Sequence, residues 1–405
     1  MVLAGFAAAQ SDLSAGQQVA ATGQEADTTP TSITIPTITG VLDDKRGAVF
    51  ETPRQSCNPN DVPDAMARAF RDDKGMIHLV AASTDLFASI GPTLESVKHS
   101  CKVAHQSAND SNPADFNDQT WIDSFYTFDG KTIAGLTHTE YHGWSFKGEC
   151  TFKNGYGGCE YDSDTYHQSN DGGYHFNPFK APANFLAGVP YQYVKDGGPS
   201  GYSVDSNIIE LGGWYYAMVT SYSWPPGCSG TTGANACLTP GGGGPIRTQN
   251  VFDPSSWRGW SGTDFSVSFV DPYPGPVDDP QEHVYTPVKW MDVVTAVNLF
   301  ETSNVVVATL WDPWDTEYGV PGLYLSTSTD MVNWTKPTLV ATLDWFLKQE
   351  PKGSWQYAYF SLIDPTATDM NFAVVGEHPY LYYVRLANNG QGRVMFRQGI
   401  TLTLK

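Results

Sequence analysis

The chain has 405 residues, only 16% of them charged, and 43 acidic against 23 basic side chains give a formal charge of −20. That balance argues against a nucleic-acid or anionic-membrane partner, since both need basic patches. Abundant Gly, Pro, Trp, Tyr and Phe fit a turn-rich all-β protein, not a helical bundle.

The N-terminus, M-V-L-A-G-F-A-A-A-Q, reads as a signal-peptide remnant with an A-x-A-like end at Ala7–Ala9. Residues 10–30 are rich in Ser, Ala, Gln, Gly and Thr and read as a flexible leader. Residues 1–30 are therefore expected to be leader, and 31–405 a single domain. Ser32–Val41 alternates like a strand, and Pro36 suggests an edge position.

From there one pattern returns: an apolar strand, a Gly/Asp turn, a second apolar strand, then a weaker pair. The first unit starts with Asp61–Ala82. The second is Trp121–Trp144, where Asp129-Gly130 separates two β-prone runs, a strong hairpin signal. The third is Tyr202–Ser223, the fourth Val288–Trp311 and the fifth Gln356–Leu386. Repeated sheet units that cannot bury their faces alone indicate a propeller. The last unit is one strand short, so the fold expected is a five-bladed β-propeller whose ring is closed by the N-terminal strand. A helix is expected only around Asp344–Gln349. No apolar run is long enough for a transmembrane helix.

Six dispersed cysteines without a C-x-x-C pair favour disulfides and an oxidising compartment. Local pairing suggests Cys150–Cys159 and Cys228–Cys237, leaving Cys57–Cys101.

The chemistry is expected where inner strands begin and second strands end. Asp64, Asp123 and Asp205 occupy equivalent places in three units, with Asp292 a weaker fourth. Glu140 and His142 end the second strand of the Trp121–Trp144 hairpin. Converging carboxyls are what glycoside cleavage needs, one to donate a proton and one to act as base or nucleophile. Each Asp could instead simply cap a turn. Arg68, on the strand face of Asp64, would hold a sugar carboxylate or fix a catalytic acid, or simply pair with a buried Asp. Trp144, Tyr222, Trp224 and Trp311 would offer flat faces to sugar rings. His138, Glu140 and His142 alternate on one strand face, so they would either form a hydrogen-bonded network or hold a metal such as Zn²⁺ or Ca²⁺. No other cofactor is expected.

These units, the acids at inner-strand starts, and segments such as L-Y-L-S-T-S-T-D-M-V-N-W-T-K-P (Leu323–Pro337) and Y-F-S-L-I-D-P (Tyr359–Pro365) resemble the five-bladed β-propeller glycoside hydrolases of the arabinanase, xylosidase and fructosidase type. The resemblance covers about residues 45–405. It implies Asp64 as base or nucleophile and Asp123 as the positioning acid. It also implies a Glu proton donor in the third blade, where no matching Glu stands; Glu140, one blade earlier, takes that role, with His142 in support. The expected protein is a secreted or periplasmic, monomeric glycosidase whose partner is a carbohydrate. The alternatives are a non-catalytic carbohydrate-binding propeller and a polysaccharide lyase using His142, Tyr222 and Arg68.

Overall fold

The computed structural model describes residues 34–152, 158–222, 241–301, 303–314, 318–350, 355–387 and 392–405. Strands dominate, and among the described residues the only α-helix is Leu343–Leu347. It falls in the expected region and opens on Thr342, whose hydroxyl accepts the Trp345 N–H.

The strands group into five antiparallel units in chain order. The first contains Arg68–Arg71, Ile77–Val80, Ser89–Gly91 and Lys98–His99. The second contains Gln119–Thr127, Ile133–His142 and Glu160–Ser169, edged by Phe185–Gly188. The third is built on Ser200–Val204, Trp214–Tyr222 and Gly242–Thr248. A short parallel contact, Tyr161 with Ser200 and Asp162 with Gly201, joins the second and third into one sheet. The fourth runs Val294–Phe300, Val306–Asp312, Gly322–Ser328 and Thr338–Thr342. The fifth runs Trp355–Ile363, Tyr380–Ala387 and Arg393–Leu404, and its outermost strand is the N-terminal one, Ile38–Glu51.

That N-terminal strand supplies the missing fourth member, as expected, from Ile38 opposite Leu404 to Glu51 opposite Val394. Its place differs from the Ser32–Val41 expectation. The strand starts beyond Pro36, which has no N–H to give a ladder.

The Trp121–Trp144 hairpin forms as Gln119–Thr127 and Ile133–His142. Asp129 Oδ1 accepts the Lys131 and Thr132 N–H groups, both at 2.8 Å. Gly130 has φ +69°, and a Cβ there would lie 2.5 Å from the Asp72 carbonyl carbon. The tip therefore needs glycine for its left-handed backbone and for the close approach of the first unit.

Apolar layers fill the space between successive units. Phe70 and Val80 meet Trp121 and Phe125. Leu136 and Tyr161 meet Tyr202 and Val219. Met218 meets Val297 and Val306, and Val307 and Leu323 meet Phe360 and Tyr383. A fifth layer puts Ala69 and Leu79 of the first unit against Ala358 and Val384 of the last. Each fully buried large side chain stabilises such a layer by about 1.5–3 kcal/mol.

The innermost strands meet at Arg68. Its Nε donates to the Asp123 carbonyl at 2.9 Å, and its Nη2 donates to the carbonyls of Asp205 and Thr295, both at 2.9 Å. One guanidinium thus ties the first unit to the next three. Asp123 and Thr295 both sit at register shifts in their strands, where a bulge turns a carbonyl out of the ladder.

Two disulfides, Cys57–Cys101 and Cys150–Cys159, match the expected pairs. Cys228 and Cys237 lie outside the described residues.

Candidate active site

Strands Ile133–His142 and Glu160–Ser169 run antiparallel, with His138 opposite Asp164, Glu140 opposite Asp162 and His142 opposite Glu160. Alternate residues of a strand share a face. The segments H-T-E-Y-H and E-Y-D-S-D therefore stack six titratable side chains in two columns. The intervening Tyr141 and Tyr161 point the other way, into an apolar layer.

Glu140 is gripped from both sides. His138 Nε2 lies 3.1 Å from Oε1, and His142 Nε2 lies 2.6 Å from Oε2. Burial pushes this carboxyl up, but the two imidazole hydrogen bonds and charges outweigh it and bring it down to about 2. His138 is pushed well above its ordinary value; burial opposes this, but the Glu140 hydrogen bond and nearby carboxylates prevail. The Asp118 carboxylate fixes the His142 backbone by accepting its N–H at 2.8 Å.

The neighbouring acids behave in the opposite way. Burial, then the charge of Glu140, raises Glu160 to about 7. Asp162 is fully buried, and neither of its carboxyl oxygens has a hydrogen-bond partner. Burial pushes it well above the usual carboxylate range. Asp164 accepts the Val204 N–H at 2.8 Å and is raised by burial to about 8. Asp123 is buried and raised well above its ordinary value, although His138 and Arg68 pull it down. Six carboxyls, Asp123, Glu140, Glu160, Asp162, Asp164 and Asp205, crowd around Arg68, His138 and His142. They cannot all ionise, and burial decides which keep their protons.

Asp64 approaches from the first unit. Its Oδ1 accepts the Tyr359 hydroxyl at 2.9 Å and a short bond from Arg393 Nη1. Burial raises its pKa, the Arg393 charge lowers it, and the negative charge of Glu140 also reaches it. Tyr359 and Arg393 both belong to the fifth unit. Tyr359 has φ +62° at a bulge, where the ladder skips from Ala358 opposite Val384 to Ser361 opposite Tyr382. A side chain held there costs about 1–2 kcal/mol. The bulge aims the phenol at Asp64 while Phe360 stays in the core, stacked on Trp311 at 4.3 Å.

The expected site residues divide into three groups. Asp64, Asp123, Glu140 and His142 are brought to one region. Glu140, expected as the proton donor, is held ionised by its two imidazoles, and Glu160 beside it is one of the carboxyls that keep a proton near neutrality. Arg68 and Asp205, expected at the sugar, are buried parts of the central frame. The donors of Arg68 go to main-chain carbonyls, and the carboxylate of Asp205 accepts the Ser203 and Thr220 hydroxyls. Asp292 is exposed and outside the cluster.

Among the aromatic residues, Trp144 is half-buried and stacks on His142, with ring centroids 4.1 Å apart. Trp311 is a correction: it is buried against Phe346 and Phe360, because its strand is covered on both faces. Tyr222 pairs with Gly201 through its backbone, but its side chain lies outside the described residues, as does Trp224. His138 and His142 bind different oxygens of Glu140, so the three form the hydrogen-bonded network rather than converging on one point.

Glu160, Asp162, Asp164, Tyr359 and Arg393 were not singled out by sequence reasoning. The alternating acids of E-Y-D-S-D just after Cys159 were the available signal for the first three.

Neither a protein-family model nor a curated protein matches the sequence. Among solved structures, the chain is similar to the catalytic domain of the Coprinopsis cinerea GH62 α-L-arabinofuranosidase, at 11% identity and TM-score 0.42, covering 91% of this chain and 98% of that one. It is also similar to an exo-1,5-α-L-arabinanase from a bovine ruminal metagenomic library, at 9% identity and TM-score 0.43, covering 84% and 98%. A third is the Cellvibrio cellulosa α-L-arabinanase, at 9% identity and TM-score 0.40, covering 82% and 90%.

Proposed function

We propose that the five sheet units are the blades of a closed propeller and that the chain is a secreted glycosidase acting on a poly- or oligosaccharide. Closure is supported by the apolar layer between the first and fifth units and by the reach of Arg68 to three other units. Secretion is supported by two disulfides, which persist in oxidising compartments.

The observation that carries the reading is the pair Glu140 and Glu160. Two carboxyls on neighbouring strands of one sheet are driven to about 2 and about 7. Environments that push two acids apart assign the donor and the permanent anion. Glu160 donates its proton to the leaving glycosidic oxygen. Glu140 stays ionised; its charge keeps Glu160 protonated and stabilises the positive charge that develops on the sugar ring. Asp64 is the base or nucleophile, acting through Oδ2, since Tyr359 and Arg393 both engage Oδ1. Asp123 positions the cluster from beneath, and His142 holds Glu140. Trp144 gives the sugar an apolar face at the rim.

The test is digestion of a polysaccharide panel read by mass spectrometry, with Glu160→Gln and Asp64→Asn beside the unaltered protein. Hydrolysis adds one water per cut, and both variants should lose it while remaining folded. Products lacking that water and absorbing in the ultraviolet mean elimination. Binding without cleavage means a lectin-like role. Either result removes the assignment.

A further inference from the structure

We infer that Tyr359 is a positioning residue that sets the protonation and rotamer of Asp64, a role that rests on reading Asp64 as the reacting carboxylate. Three observations converge on it. Tyr359 is the only non-glycine residue with positive φ that lies inside a strand among the described residues. The position is a bulge in which two residues face one, an arrangement that ordinarily takes glycine at its left-handed site. A tyrosine held there instead points to use of its side chain, since strained backbone gathers at functional sites.

The phenol reaches the Asp64 carboxyl. Its hydroxyl donates to Asp64 Oδ1 at 2.9 Å, and Arg393 Nη1 donates to the same oxygen. Two donors on Oδ1 fix the plane of the carboxyl and leave Oδ2 as the oxygen to face a substrate. They also work against the desolvation that, on balance, holds the Asp64 carboxyl above its ordinary value. Arg393 supplies the charge. Tyr359 supplies direction, because the bulge aims a rigid ring, not a flexible stem, at Asp64. The regular strand alternative would turn residue 359 along the ladder and away from the first unit.

The experiment compares Tyr359→Phe with the unaltered protein and with Tyr383→Phe. Tyr383 is a buried tyrosine of the same sheet whose hydroxyl bonds Gln398 at 2.9 Å, in the core. The carboxyl ¹³C shift of Asp64, assigned by its loss in Asp64→Asn, is followed against pH. In Tyr359→Phe the Asp64 titration should move up by on the order of one pH unit, and in Tyr383→Phe it should not move. On a hydrolysed glycan, the acid limb of kcat/KM should shift upward by the same amount, with kcat falling and KM nearly constant. An unmoved Asp64 titration in Tyr359→Phe overturns the role, as does an equal shift in Tyr383→Phe. If Asp64 shifts as expected but no glycan is cleaved, the hold of Tyr359 on Asp64 stands and the glycosidase reading fails.

Discussion

Glu160 lies one register step along the sheet from Glu140: it faces His142, two residues beyond Glu140 on the neighbouring strand. Glu140 is clamped as an anion by imidazoles on both its oxygens. Glu160 has no such clamp and inherits the repulsion.

The first prediction concerns that proton. The basic limb of the activity profile should fall near pH 7, where Glu160 releases its proton. Glu160→Gln should lower kcat by roughly 10²–10⁴-fold, the usual contribution of a general acid. Substrates with leaving groups that need no protonation should be spared most of that loss. Steady-state kinetics on natural and activated substrates checks both statements.

The second concerns Glu140 and stability. Its folded pKa lies below the ordinary carboxylate value, so its contribution is complete above about 4.5 and is lost as pH falls toward about 2. Glu140→Gln should therefore be less stable than wild type by about 3 kcal/mol at pH 7. Urea unfolding at pH 7, 4 and 3 should show the gap shrinking with acidity. A constant gap would mean that packing, not charge, sets it.

The third has the opposite sign. Asp164 keeps its proton in the native state up to about pH 8, whereas its ordinary value is 3.8. Native stability attributable to it therefore falls as pH rises through that window. Asp164→Asn retains an oxygen for the Val204 N–H and removes the titration. The variant should match wild type to within about 1 kcal/mol near pH 4 and exceed it by roughly 5 kcal/mol at pH 8, as read from melting curves at both pH values.

The fourth tests the central frame. Arg68→Met would leave the carbonyls of Asp123, Asp205 and Thr295 without their donor. A loss on the order of 3–5 kcal/mol is expected, since each orphaned buried acceptor keeps its desolvation cost. Chemical denaturation measures it. A near-neutral effect would show that water replaces the guanidinium.

Much of the frame was legible from local signals. Asp129-Gly130 announced its hairpin because the turn chemistry is confined to a few residues. The Cys150–Cys159 pair spans one short loop, and the incomplete fifth unit demanded a strand that Ile38–Glu51 supplies. The site was less legible because it depends on register. Nothing local reveals that Glu160 faces His142, and E-Y-D-S-D reads equally well as a solvated strand until a second sheet covers it. Arg68 looked like a ligand because its carbonyl partners lie in three other units. Trp311 looked like a platform because one strand cannot report that both its faces are covered. The phenol of Tyr359 is aimed by a bulge, which leaves no mark in the spacing of residues.

Asp64 is reached by Arg393, which lies on the strand that holds Ile38–Glu51 in place. The strand Arg393–Leu404 therefore has to be in place before Asp64 acquires its charged partner. A nascent chain still on the ribosome, or one cut ahead of Arg393, would carry most of its sheets and yet lack a set Asp64. Competence would thus arrive late and all at once. The carboxyl would be set only once the last strand of the fifth unit has docked.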